Sequence, residues 1–307
     1  MSKILFFGGK GGVGKTSCSS AFAVSKADQG CKVLLVSTDP AHSTSDLFNM
    51  KIGPKIIPIK ENLDALEIDP QKEADGYIRE IKSNMSRIVS PIILDEMNKQ
   101  LDAARVSPGS HESALFDKMV QIINETSEHY DFIIFDTAPT GHTVRLLSLP
   151  EMLGAWMDSL LKKRRNTMAL KRMTNRIKGH KESEEDPIIK ILTRRKENLE
   201  KARSIMMDED NLGFVFVMNA ERLPIEETKK AVQLLKKYKI PVKYLVVNRI
   251  LPDTMDPFWS QKKKYEKTYL DEIESYFKVE TIYKVPMFQE DMQSGTINQM
   301  ADYFKES

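Results

Sequence analysis

Two hydrophobic rhythms alternate along the chain. Short, nearly unbroken apolar runs at residues 4–7 (ILFF), 32–37, 132–135, 212–218 and 242–247 read as strands buried on both faces. Residues 65–69 alternate as a short strand, and residues 280–285 close the series. Longer stretches at residues 16–29, 111–128, 224–237 and 258–277 read as helices. Gly30 ends the first, and Pro224 with Lys236 and Lys237 marks the two ends of the third. Residues 51–63 carry Gly53, Pro54 and Pro58 among mixed residues, a loop with room for an edge strand. Strand alternating with helix predicts an α/β fold, a mostly parallel sheet flanked by helices on both faces.

The β rhythm fades in two places, near residues 70–128 and 151–210, where the pattern is helical throughout. The sequence Ser107-Pro108-Gly109-Ser110 interrupts the first, and residues 178–186 (KGHKESEED) in the second are too polar to pack and read as a mobile connection. Both segments return to the same sheet. They are expected to pack together as one inserted α-helical subdomain within a single domain spanning residues 1–307, with no internal repeat.

Charge narrows the function classes. Lys and Arg number 46 against 44 Asp and Glu, a net charge of +2 without the basic excess of a nucleic-acid binder. No apolar run approaches the ~18 residues of a membrane span. The N-terminus passes directly into a strand and a glycine loop, so neither a signal peptide nor stable membrane insertion is expected. The two cysteines, Cys18 and Cys31, read as small buried apolar residues and suit a reducing, cytoplasmic compartment.

The chemistry begins between the first strand and the first helix, where Gly9, Lys10, Gly11, Gly12, Val13, Gly14, Lys15 and Thr16 spell GKGGVGKT. Glycines let successive N–H groups turn toward a phosphate, and the helix behind adds its unpaired donors and positive dipole end. Lys15 is then placed for the β- and γ-phosphates of a nucleotide, and Thr16 for Mg²⁺. Flanked by strand and helix, the motif predicts a P-loop NTPase site. Lys10 is a second lysine at a position the motif leaves free. Asp136, ending the strand at 132–135, is placed to organise Mg²⁺ through its water shell. At the tip of the second strand, Asp39 has the chemistry to orient or deprotonate an attacking water, if it comes within hydrogen-bond reach.

Three segments together resemble the ArsA/Get family of ATPases, in the P-loop group that also holds the MinD and ParA proteins. They are GKGGVGKT, TDPAHS at residues 38–43 and DTAPTGHTVRLL at residues 136–147, and the similarity runs from residue 3 to about residue 300. The resemblance implies a Mg²⁺-dependent ATPase acting as a homodimer that sandwiches ATP. It assigns Lys10 to the partner subunit's nucleotide, Asp39 to catalysis and residues 136–143 to a switch that senses the γ-phosphate. Val246-Val247-Asn248 resembles the family's VVN, which gives Asn248 the adenine ring. Ala220-Glu221 stands where the family usually has Pro-Glu beside the nucleotide, and Pro286, in Val285-Pro286-Met287-Phe288, falls on the adenine-side loop.

One departure bears on the dimer. Members that target membrane proteins carry a CxxC before the long C-terminal helix, and their dimers share a zinc ion. Asp256 and Trp259 stand at those positions here and offer no thiolate, so the resemblance leaves an apolar contact through Phe258 and Trp259, or dependence on ATP. The same lack of thiols weighs against an arsenite-driven ATPase. Met152, Leu153, Trp156, Met157, Leu160 and Leu161 share one helical face, followed by Met168, Leu170 and Met173. That face either covers the subdomain's own core or forms a methionine-rich groove for an apolar helix, because thioether chains adapt to varied partners. The resemblance favours the groove, with the transmembrane segment of a client protein as cargo. An arsenite-pump ATPase, a MinD/ParA-type positioning ATPase and a nucleotide-gated scaffold for a soluble partner remain as alternatives.

Overall fold

A computed structural model describes residues 2–38, 43–86, 110–137, 158–159, 161–162, 165–166, 187–206, 208, 210–237, 239–253, 256–279 and 281–305. The strands are β1 (Lys3–Gly8), β2 (Val33–Ser37), β3 (Ile57–Lys60), β4 (Leu63–Glu67), β5 (Phe132–Asp136), β6 (Leu212–Met218), β7 (Val242–Ile250) and β8 (Thr281–Pro286). They form one sheet in the order β3-β4-β2-β5-β1-β6-β7-β8. All neighbours run parallel except the β3–β4 hairpin at the edge. The fold is α/β, as the alternation predicts, and β3 supplies an edge strand within the proline-containing stretch.

Helices α1 (Lys15–Asp28), α2 (Ser43–Phe48), α3 (Pro70–Ser86), α4 (Ser110–Thr126), α5 (Pro187–Met206), α6 (Arg222–Lys237), α7 (Pro257–Tyr276) and α8 (Ser294–Ala301) accompany the sheet. Successive side chains of a strand point to opposite faces, so β1 feeds two cores at once. Ile4 and Phe6 join Phe116 and Ile123 of α4, Leu235 of α6 and Ile273 of α7 on one face. Leu5 and Phe7 join Phe22 of α1 and Ile297 and Met300 of α8 on the other. This double burial is why the strands are apolar without alternation. In α1 every residue from Cys18 to Ala27 is buried. The helix lies between the sheet and α8, and Ser19, Ser20, Ala21 and Ala23 keep it thin enough to fit.

The crossover from β4 to β5 explains the first helical segment. Parallel neighbours need a connection that crosses back over the sheet, and α4 provides its last leg with an apolar face in the main core. Helix α3 packs on α4, and α4 also contacts α5. The helices of both inserted segments therefore meet at α4, which itself belongs to the sheet layer. Of the methionine-rich face, Leu161 is buried; Met152, Leu153, Trp156, Met157, Leu160, Met168, Leu170 and Met173 lie outside the described residues, as does the polar connection at 178–186. One expectation is corrected: Cys18 is buried, but Cys31 is partly exposed just before β2, against the rim of the core.

Candidate functional site

Every parallel strand ends on the same edge of the sheet, and the described candidate residues stand along that edge. Between β1 and α1, residues 9–14 make a loop whose first and last glycines, Gly9 and Gly14, are set by close contacts. A Cβ on Gly9 would meet the Val217 carbonyl oxygen of β6 at 2.2 Å. Gly14 caps α1 with φ of 90°, and a Cβ there would lie 2.4 Å from the Asn248 amide nitrogen. Neither position admits a side chain.

Lys15 folds over this loop, its Nζ donating to the Lys10 carbonyl at 3.4 Å. Thr16 Oγ1 lies 3.3 Å from the Oγ of Ser43, the first residue of α2. Lys10 stands at the rim, where its Nζ pairs with Glu227 of α6 at 3.4 Å, the side chains 35% and 43% exposed. Such an exposed pair is worth at most about 1 kcal/mol.

Asp136 ends β5 with 1% exposure, opposite Phe7 in the β1 register. Its carbonyl accepts from both the N–H and the Oγ1 of Thr38, each at 3.0 Å. Thr137 Oγ1 donates to the Phe7 carbonyl at 2.7 Å. The ends of β1, β2 and β5 are thereby joined around the loop. Burial, and next the charge of Asp136, push the Cys18 thiol far above its ordinary range, with Arg249 opposing. A thiol held protonated in this way is a poor soft ligand.

Asn248 is 6% exposed near the end of β7. Its Nδ2 donates to the Val13 carbonyl at 2.9 Å, and its Oδ1 accepts from Arg249 N at 2.9 Å. Arg249 takes the left-handed region, with φ of 58°, a strained position for a long side chain. The residue expected beside adenine is thus seated against the phosphate loop. Glu221 is exposed in the turn between β6 and α6, and Pro286 closes β8 opposite Ile250. Glu221 thus follows the strand next to β1, and Pro286 ends the strand at the far edge of the sheet. Asp39 is outside the described residues, directly after Thr38.

Sequence reasoning passed over Ser43 and Glu227. Ser43 was available as the last residue of TDPAHS, but its proximity to Thr16 depends on the fold of the chain between them. The hydroxyls of Thr16 and Ser43 with the buried carboxylate of Asp136 are hard oxygen donors, which fit Mg²⁺. Among the described residues no group of three or more His, Cys, Asp or Glu is placed to hold a metal.

A mostly parallel sheet, a glycine loop leading into a Lys-Thr helix start and a buried aspartate on the adjacent strand define a P-loop NTPase. Within that class, residues 2–305 match the model of the anion-transporting ATPase family, and the chain belongs to that family. It is 38% identical over 280 residues to putative arsenical pump-driving ATPase 2 of Aquifex aeolicus, covering 90% of this chain and 89% of that protein. It is 35% identical over 283 residues to ATPase ASNA1 homolog 2 of Paramecium tetraurelia, covering 88% and 83%. With ATPase GET3B of Arabidopsis thaliana it shares 35% over 290 residues, covering 88% and 70%. The chain is an ATPase of this family, with a nucleotide as its substrate. Among the described residues no helix is long and apolar enough to cross a membrane.

Proposed function

We propose that this ATPase is Mg²⁺-dependent and works in the cytoplasm as a homodimer that closes on ATP, and that the closed form carries an apolar segment of a membrane-protein client. The observation that carries the reading is Lys10. It is partly exposed on the loop, in an ion pair with Glu227 that is weak enough to release. A lysine so placed can leave its own subunit and meet charge on a facing one. Lys15 would hold the β- and γ-phosphates, while Lys10 of the partner subunit would neutralise charge developing on the γ-phosphoryl, as an arginine finger does. Thr16 and Ser43 would hold the Mg²⁺–nucleotide complex, with Asp136 acting through water; the ion, when bound, supplies neutralisation of phosphate charge. Asp39 would orient the attacking water. Asn248, Glu221 and Pro286 line the edge toward which the base would extend.

The apolar tip of α7 supports a secondary contact between subunits. Phe258 and Trp259 are 67% and 38% exposed and meet edge to face at 5.5 Å. Similarity to ATPases named ASNA1 and GET3, together with the methionine-rich sequence at 152–173, supports the client reading. A second reading, an ATPase driving arsenical export, draws on the name of the Aquifex relative. The burial of Cys18 speaks against that thiol as a direct ligand for arsenite.

Lys10→Ala tests the sandwich. Turnover should fall at least about 100-fold, the scale of losing one transition-state donor. In analytical ultracentrifugation with a non-hydrolysable ATP analogue, the variant should remain a monomer where the wild type dimerises. A monomeric variant with full turnover would end the sandwich reading.

A further inference from the structure

The end of β4 carries a buried carboxylate that the reading above leaves without a task. Glu67 is 2% exposed, and two strands, β2 and β5, separate β4 from β1. Both of its oxygens meet one residue: Oε1 accepts from Ser45 N at 2.8 Å and Oε2 from Ser45 Oγ at 2.9 Å. Ser45 Oγ in turn accepts from Ile52 N at 3.1 Å. The Ile52 carbonyl lies 3.3 Å from the same hydroxyl, but the single hydroxyl hydrogen belongs on the nearer, charged oxygen. Glu67 N donates to the Gly53 carbonyl at 2.9 Å, which ties the loop after α2 to the same point.

This arrangement fixes the first turn of α2. A helix of six residues does not hold itself in water. Leu47 and Phe48 anchor the far end by burial and Thr44 is buried at the near end, where Ser45 adds the polar tie to Glu67. Two residues before Ser45, Ser43 Oγ stands 3.3 Å from Thr16 Oγ1. Burying a carboxylate is costly unless its oxygens are satisfied, and packing alone would be served by a neutral residue. What the charge adds is a rigid acceptor for the backbone and the side chain of one serine.

We propose that Glu67 is a positioning residue: by clamping Ser45 through both N–H and hydroxyl, it seats the start of α2 so that Ser43 stands beside Thr16 and joins it in holding the metal–nucleotide complex. The inference rests on the proposed placement of Mg²⁺ at Thr16. It extends the site to the end of β4, three strands from β1.

Binding of a fluorescent ATP analogue, titrated with Mg²⁺ and repeated in EDTA, tests it. Glu67→Gln and Ser45→Ala should each raise the half-saturating Mg²⁺ concentration about threefold to tenfold, the scale of one lost hydrogen bond. Their affinity for the analogue in EDTA should stay within about twofold of wild type on the same scale. Ser43→Ala should reproduce the effect, and Glu67→Gln added to it should cost nothing further, because both act through one contact. A wild-type Mg²⁺ response in folded Glu67→Gln and Ser45→Ala overturns the proposal, as does an equal loss of affinity in EDTA. Ser45→Ala serves alone if Glu67→Gln does not fold. Thr16→Ala separates the two levels. If it shifts the Mg²⁺ response while Glu67→Gln and Ser45→Ala do not, only the inference falls; if it does not, the metal placement falls and the inference with it.

Discussion

Each N–H that a phosphate loop turns toward its ligand leaves a carbonyl to be satisfied elsewhere, and for Val13 the partner is Asn248 Nδ2 at 2.9 Å. Removing it strands a buried carbonyl, a loss of about 1–3 kcal/mol, so Asn248→Ala should weaken ATP binding by about tenfold, the lower part of that range. Asn248→Asp should be worse, because it sets a carboxylate oxygen against the carbonyl. If the amide served only the adenine ring, inorganic tripolyphosphate would bind both variants as it binds the wild type. Calorimetry with tripolyphosphate should instead show the same order of loss as with ATP. The VVN sequence makes Asn248 legible as a site residue, but not its partner. That contact spans 235 residues of chain and exists because the sheet sets β7 two strands from β1. Ser43 and Glu67 were illegible for the same reason, since nothing local distinguishes a serine or glutamate that will meet another segment.

At the scale of elements, the strands were legible because double burial leaves them no polar face. Helix α2 and the eight-residue α8 were not marked by periodicity, being too short for an apolar stripe to repeat. The long α7 was legible, and it carries one buried carboxylate, Glu266, whose setting pH should reveal. Glu266 is buried, and its Oε1 accepts from Leu251 N at 3.0 Å, pinning the chain just after β7. Lys263 assists by donating to the Leu251 carbonyl at 2.8 Å. Desolvation raises the carboxyl above its ordinary range, offset by the Leu251 hydrogen bond and the charges of Lys263 and Lys262. The folded state therefore binds this proton more tightly than the unfolded chain, and stability falls as pH rises from the ordinary glutamate range through the raised value. Glu266→Gln keeps an acceptor for Leu251 and removes that cost. In urea unfolding, the variant should gain on the wild type between pH 4 and pH 8; a gap that does not grow in that direction would mean the carboxylate is adequately solvated.

Across the whole molecule, β5 and α4 give the sheet edge and the helical layer a common member. Asp136 ends β5 at the nucleotide edge, while the chain enters β5 from α4 by way of residues 127–131. One face of α4 lies in the sheet core, and the helix also contacts α3 and α5. A shift at the strand ends therefore has a packed route to α3 and α5, the described helices of the two inserted segments, and tight packing transmits such shifts rather than absorbing them. If nucleotide and client are coupled along this route, the coupling is reciprocal: a factor by which ATP tightens the client must equal the factor by which the client tightens ATP. With a catalytically silent ATP analogue and a peptide of about 20 apolar residues, the length of a membrane-spanning helix, both affinities can be measured with and without the other ligand. The two ratios should agree and fall at about 5–150-fold, the usual range for linked sites. Equal peptide affinity with and without nucleotide would remove the switch while leaving an apolar site. Absence of peptide binding in either state would remove the client reading and return the helical layer to the task of covering its own core.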